Sequence, residues 1–246
     1  MTTTNMKTVS LVLGSGGARG LAHIGVIHWL EENDLKIKSI VGCSIGAVIG
    51  GIYAAGKLDE YEQWVRSLTK VDIVTLLDLS WEKSGLVRGD KLINTLINLV
   101  GEKLIEDLAI SYTAVATDIK GEKEIWIKSG NLFDAMRASY AIPLFFTPFK
   151  YKGVDLVDGG VLNPVPIAPT FGDETDMTIA VNLGGPPQNP EKPSTLSAAQ
   201  AFPSSPLREK INRFKNRFQQ SVTSSSSRDW GRTISPFRRL MLCRVP

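Results

Sequence analysis

"IVGCSIGAVIGGIYAAG", Ile40–Gly56, compresses three structural elements into one short run. The β-branched residues before Gly42 read as a buried strand, Gly42 to Gly46 as a tight turn, and "AVIGGIYAAG" as a small-residue helix closed by Gly56. Ser44 sits at the centre of a G-x-S-x-G frame, the arrangement that presents a serine oxygen at the strand-to-helix turn of α/β hydrolases. Glycines at 42 and 46 let strand and helix approach without a β-carbon between them. The same frame also fits a plain turn in which the serine caps the helix. A nucleophilic serine needs a base, yet both histidines, His23 and His28, precede Ser44. In α/β hydrolases the histidine follows the serine.

Upstream, "VSLVLG" reads as a strand, "GSGGARG" (Gly14–Gly20) as a loop, and "LAHIGVIHWLEEN" as a helix with Leu21, Ile24, Ile27 and Leu30 at helical spacing. Two successive strand-turn-helix units predict an α/β fold whose mostly parallel central sheet is covered on both faces. Backbone N–H groups of a glycine loop at a helix start bind an anion, either a tetrahedral oxyanion or a nucleotide phosphate. A dinucleotide G-x-G-x-x-G beginning at Gly14 would need glycine where Arg19 stands. The other phosphate candidate, "GIYAAGKL" from Gly51, puts Leu58 where Ser or Thr would hold magnesium. Nucleotide binding is therefore the lesser alternative.

Downstream, "DEYEQWVRSL" and "GDKLINTLINLVG" read as helices, "SYTAVATD" and "EKEIWIKSG" as strands, and "NLFDAMRASYAI" as a helix stopped by Pro143. "VDLV" is a short strand leading into "DGG", and Asp176–Gly184 is a last strand. Asp-Gly-Gly is commonly a turn. With no histidine after Ser44, however, Asp158 reads as a carboxylate at the end of a parallel strand and as the natural remaining base. Asp155 falls on the opposite sheet face by strand alternation. Asp118 reads as a turn residue, Cys43 as a small core residue, and His23 and His28 as structural or surface residues.

A chain of 246 residues that is 43% hydrophobic buries one sizeable core, assigned to residues 6–185. The net charge of +3 conceals an asymmetry: residues 1–190 carry 17 Lys+Arg against 22 Asp+Glu, and residues 191–246 carry 11 against 3. Two distant cysteines give no disulfide framework and point to a reducing, cytoplasmic setting. The apolar run Val9–Leu13 is too short for a signal peptide, and Val41–Gly56 falls short of the ~18–20 residues of a membrane span. From Pro186 the composition turns to Pro, Ser, Gln and Asn, which predicts a largely disordered tail over 186–246. Within it, 207–220 has Leu207, Ile211, Phe214 and Phe218 on one helical face and basic residues around the rest. That helix suits peripheral contact with anionic lipid or a solvated surface; no nucleic-acid module accompanies its charges.

The order "GSGGARG", "GCSIG", "DGG" across Gly14–Gly160, with "RASYAIP" and "DGGVLNPVP", resembles the patatin-like lipid acyl hydrolases. The spacing is similar to their bacterial branch related to neuropathy target esterase. The resemblance implies a three-layer α/β/α fold, Ser44 as nucleophile and Asp158 as its dyad partner. It further implies an oxyanion hole at the Gly16 and Gly17 amides, with Arg19 supporting that loop. The implied reaction is hydrolysis of acyl esters of phospholipids or lysophospholipids, without metal or organic cofactor. One departure stands out: the family branch continues in ordered helix and strand after the equivalent of "IAVNLG", whereas this chain gives "PPQNPEKPSTLSAAQAFPSSP". A non-catalytic lipid-binding relative is the corresponding alternative.

Overall fold

The computed structural model describes residues 6–69, 72, 89–185 and, as backbone, 240–244. The first strand, β1 (Thr8–Leu13), is buried along nearly its whole length, as a near-continuous apolar run in a central parallel strand should be. A 3-10 turn (Gly17–Leu21) leads into α1 (Ala22–Glu32), which buries His23, Ile24, Ile27 and Leu30. β2 (Lys36–Cys43) then passes into α2 (Ile45–Ala54) through the single residue Ser44. α2 is buried almost all round, which its Ala, Gly, Val and Ile content permits. α3 (Leu58–Ser67) and α4 (Asp90–Val100) follow, then β3 (Ser111–Asp118), β4 (Lys123–Ile127) and α5 (Leu132–Ser139). The Asn131 side chain caps α5 by accepting from the amides of Phe133 and Asp134. The remaining strands are β5 (Phe149–Tyr151), β6 (Val154–Asp158), β7 (Met177–Asn182) and β8 (Leu240–Arg244).

These strands form one sheet in which β3, β2, β1, β7 and β8 are successive parallel neighbours. β4 and β6 both run antiparallel to β3, and β5 antiparallel to β6. Helices α1, α2, α4 and α5 share one large core with Leu11 and Leu13 of β1, Ile40 of β2 and Tyr112 of β3. Among the described residues, a smaller cluster of Val12, Val41, Val115 and Ala180 on the other face is covered by Val165 and Ile167. The fold is mixed α/β around a mostly parallel sheet, as the two leading strand-turn-helix units predicted.

The registers on β3 decide what meets what. Ala114 and Val115 pair with both β2 and β4, while Ala116 to Asp118 pair with both β4 and β6. A strand has only two hydrogen-bonding edges, so β4 occupies one and β2 and β6 share the other. β2 runs up that edge until Cys43 faces Val115, and β6 comes down it until Asp158 faces Ala116. The two strands meet end to end. This corrects the expectation that Asp158 ends a parallel strand: β6 is antiparallel, and its carboxyl end reaches the serine turn from the opposite direction.

Within the stretch expected to be largely disordered, Leu240–Arg244 pairs in parallel with Thr178–Asn182 of β7, so the short apolar run "LMLC" takes up a hydrogen-bonding edge that would otherwise be open. The amphipathic stretch 207–220 lies outside the described residues.

Candidate active site

The turn between β2 and α2 is one residue long, and that residue has an unusual backbone. Ser44 has φ 57 and ψ −124, which for a side chain with a β-carbon stores on the order of 1–3 kcal/mol. What holds it is packing on every side. A β-carbon on Gly46 would stand 2.1 Å from the carbonyl oxygen of Leu13, so only glycine lets α2 start this close to β1. The Leu13–Gly42 register sets β1 and β2 level at their carboxyl ends, so the glycine loop and the serine turn open on the same end of the sheet.

The Ser44 hydroxyl does not cap α2. It donates instead to Oδ2 of Asp158, and this disposes of the reading of Gly-x-Ser-x-Gly as a capped turn. Oδ1 of Asp158 accepts from the Gly160 amide at 2.7 Å, and its own amide donates to the Ala141 carbonyl at 2.9 Å. Ser44 is 4% and Asp158 5% exposed. Burial pushes the Asp158 carboxyl up from 3.8 to about 6, and the hydrogen bonds from Ser44 and Gly160 oppose that rise. The carboxylate is thus more basic than an aspartate in water and ionised near neutral pH.

The glycine loop is anchored at its base and open at its tip. The Gly14 amide donates to Val181 O at 3.1 Å and the Ser15 amide to Pro164 O at 2.8 Å. His23, fully buried, donates from Nε2 to the Gly14 carbonyl at 2.8 Å, and burial holds its pKa below the usual histidine range. Because a carbonyl can only accept, Nε2 carries the proton and the ring is a neutral structural anchor. Past this base, Gly17 and Arg19 are exposed. Among the described residues no hydrogen bond engages the Gly16 or Gly17 amides, while the Arg19 amide closes the turn onto Gly16 O at 3.3 Å. The tip presents donors without partners, as an anion site would.

The other residues singled out in the sequence stand apart from this chemistry. Asp155 is exposed and pairs with Lys120 at 3.4 Å. Asp118 accepts from the Gly121 amide at 2.9 Å in the β3–β4 turn. His28 bonds to Glu62 at 3.0 Å on the α1–α3 surface. Cys43 is fully buried, and burial pushes its thiol well above the usual range, away from reactivity. Among the described residues, no group of three or more His, Cys, Asp or Glu side chains is placed to hold a metal ion. Nor is any helix there long and apolar enough to cross a membrane.

Sequence reasoning missed Ser139, the last residue of α5. Its hydroxyl accepts from the Ser44 amide at 2.9 Å and donates to the Val115 carbonyl at 2.6 Å. The only signal for it was its place within "RASYAIP", which carries no local chemical reason for a serine. Asn163 was also unassigned; its side chain ties the loop after Asp158 to Glu124 of β4 at 2.9 Å.

Known proteins resemble this chain over the same region. An uncharacterised NTE family protein of Mycobacterium tuberculosis is 48% identical over 184 residues, covering 75% of this chain and 51% of that protein. Patatin-like phospholipase domain-containing protein 6 of Homo sapiens is 34% identical over 187 residues, 72% of this chain and 13% of that protein. Lysophospholipase NTE1 of Debaryomyces hansenii is 31% identical over 186 residues, 72% of this chain and 12% of that protein. The chain thus spans about half the length of the mycobacterial relative and a small part of the other two. Among solved structures, VipD from Legionella pneumophila shares the fold, with a TM-score of 0.50 at 15% identity over 97% of this chain and 61% of that one. The family model for patatin-like phospholipase matches residues 11–171, a span that runs from β1 through the serine turn to beyond Asp158. The chain belongs to the patatin-like phospholipase family.

Proposed function

We propose that this protein is a serine esterase that hydrolyses acyl esters of phospholipids or lysophospholipids through Ser44 and Asp158. One observation carries the reading: a buried serine hydroxyl, held on a strained backbone, is given to a buried carboxylate and not to its own helix. In the proposed reaction Asp158 takes the Ser44 proton as Oγ attacks the ester carbonyl. The Gly16 and Gly17 amides stabilise the oxyanion, each good donor being worth on the order of 100- to 1000-fold in rate. Arg19 supports that loop. The proton passes from Asp158 to the departing alcohol, and water, deprotonated by the same carboxylate, then releases the acyl group and returns Ser44 to its hydroxyl form.

The family's designation and the naming of the Debaryomyces hansenii relative as a lysophospholipase support a lipid substrate. Exposed apolar side chains support it as well. Leu21 at the end of the glycine loop, Ile142 and Leu144 just past Ala141, and Leu162 just past Gly160 all flank the site in the chain. Leu144 is exposed on a backbone with φ 67, an arrangement that makes sense if lipid covers it. On this reading the protein works in the cytoplasm, peripherally at a membrane. Each of these leucines is about half exposed, so covering one with lipid contributes on the order of 1 kcal/mol. A non-catalytic lipid-binding relative would share these apolar residues but not an activated serine. A fluorophosphonate probe separates the two: the parent chain is expected to label and Ser44→Ala to stay unlabelled. Absence of labelling in the parent, or equal labelling of the variant, overturns the esterase reading.

A further inference from the structure

Ser139 is fully buried at the end of α5, a helix that packs on α2 and β3. It occupies the junction where β2 stops and β6 begins along β3. Had β2 continued as a strand past Cys43, the Ser44 amide would have gone on in the ladder. Instead the chain turns sharply, and the amide is left inside the protein, where an unpartnered N–H is costly. The Ser139 hydroxyl fills the gap. It takes the Ser44 N–H at 2.9 Å and passes its own proton to the Val115 carbonyl at 2.6 Å, so one hydroxyl stands between a turn amide and a strand carbonyl. Val115 is the residue that faces Cys43, one step before the Ala116 that faces Asp158.

We propose that Ser139 is a positioning residue that fixes the Ser44 backbone so that Oγ points at Asp158. A hydroxyl is needed there because the role requires accepting one hydrogen bond and donating another at the same atom. Alanine can do neither, and a thiol does both weakly. Rotation of the Ser44 peptide would move Oγ relative to both the carboxylate and the glycine loop. A misplacement of about 1 Å in a reacting group costs on the order of 100-fold in rate. The proposal rests on Ser44 being the nucleophile and adds a residue that touches neither substrate nor reacting atoms.

The experiment compares Ser139→Ala, Ser139→Cys, Ser139→Thr and Ser44→Ala in the full chain. It measures thermal melting, kcat and KM on a short p-nitrophenyl ester, and the fluorophosphonate labelling rate well below each melting point. Ser139→Ala and Ser139→Cys should fold, with kcat and labelling rate falling together by about 10- to 100-fold and KM within about threefold. Ser139→Cys leaves no cavity, so its loss separates hydrogen bonding from a cavity, and Ser139→Thr should recover most of the rate. Retention of parent kcat and labelling by the folded Ala or Cys variant overturns the proposal. So does a loss explained entirely by a smaller folded fraction, or failure of both variants to fold, since each makes Ser139 a stability residue only. If Ser44→Ala itself labels like the parent, the nucleophile assignment fails, which is a separate result from failure at Ser139.

Discussion

The β1–α1 and β2–α2 units look alike in sequence: an apolar strand, a glycine-bearing turn with a serine in it, and a helix. In the structure they do opposite things. The first turn is pinned at its base by Val181, Pro164 and His23 and then opens, leaving the Gly16 and Gly17 amides without partners among the described residues. The second is closed everywhere: the Ser44 amide goes to Ser139, its hydroxyl to Asp158, and its neighbour Gly46 lies against the Leu13 carbonyl. On the proposed reading, an anion site must keep donors free, and a nucleophile must be kept in one conformation. The same local pattern serves either need, depending on what packs around it.

That contrast can be broken at the closed turn with the largest effect. Asp158→Asn removes the proposed proton acceptor and is expected to lower kcat by about 100- to 10,000-fold. Thermal stability should hold or rise. The folded pKa of about 6 lies above the unfolded 3.8, so the contribution of this group to stability is fully present below 3.8 and is lost as pH rises through about 6. At neutral pH the buried carboxylate therefore costs on the order of 3 kcal/mol, a cost the amide removes while giving up one of the two hydrogen bonds accepted from Ser44 and Gly160, since it has a single acceptor oxygen. A variant that both melts early and keeps its activity would contradict this account.

Next comes a graded glycine series read by urea unfolding. Gly46→Ala would drive a β-carbon to 2.1 Å from a backbone oxygen that cannot step aside, and should cost more than about 3 kcal/mol with loss of activity. Gly17→Ala at the tip of the open unit meets nothing within 4 Å and costs only the strain of a side chain at φ 57, so about 1–2 kcal/mol is expected. Gly25→Ala, on the exposed face of α1 with nothing within 4 Å, should stabilise by about 0.5–1 kcal/mol. Equal costs at 46 and 17 would mean that the two turns are not constrained differently.

The acid limb of the activity profile gives the mildest test. Asp158 must be ionised to take the Ser44 proton, so kcat/KM is expected to rise to a plateau with a midpoint near the Asp158 pKa of about 6, and to fall about tenfold per pH unit below it. A midpoint near 4 would show that burial does not raise the carboxyl.

Much of this was legible in the chain. The strand runs and a tight turn over Gly42 to Gly46 follow from short-range patterns, because β-branched runs and glycine spacing act locally, whereas Asp158 was singled out by the lack of a histidine after Ser44. Both histidines ahead of Ser44 read as structural or surface residues, and His23 emerges as the anchor of the glycine loop. Ser139 was out of reach, since a lone serine near a helix end has the same local reading wherever its hydroxyl points. The direction of β6 was likewise illegible: a five-residue strand carries no mark of whether it pairs in parallel or antiparallel.

The sequence by itself therefore determined the α/β class, the order of the motifs and the chemistry available, a serine and a carboxylate with no histidine after the turn. Only the tertiary structure decided that β2 and β6 share one edge of β3 and meet end to end. Edge occupancy is a property of the whole sheet, set by which strands compete for the same backbone donors and acceptors. That competition brings together two residues separated by more than a hundred positions in the chain.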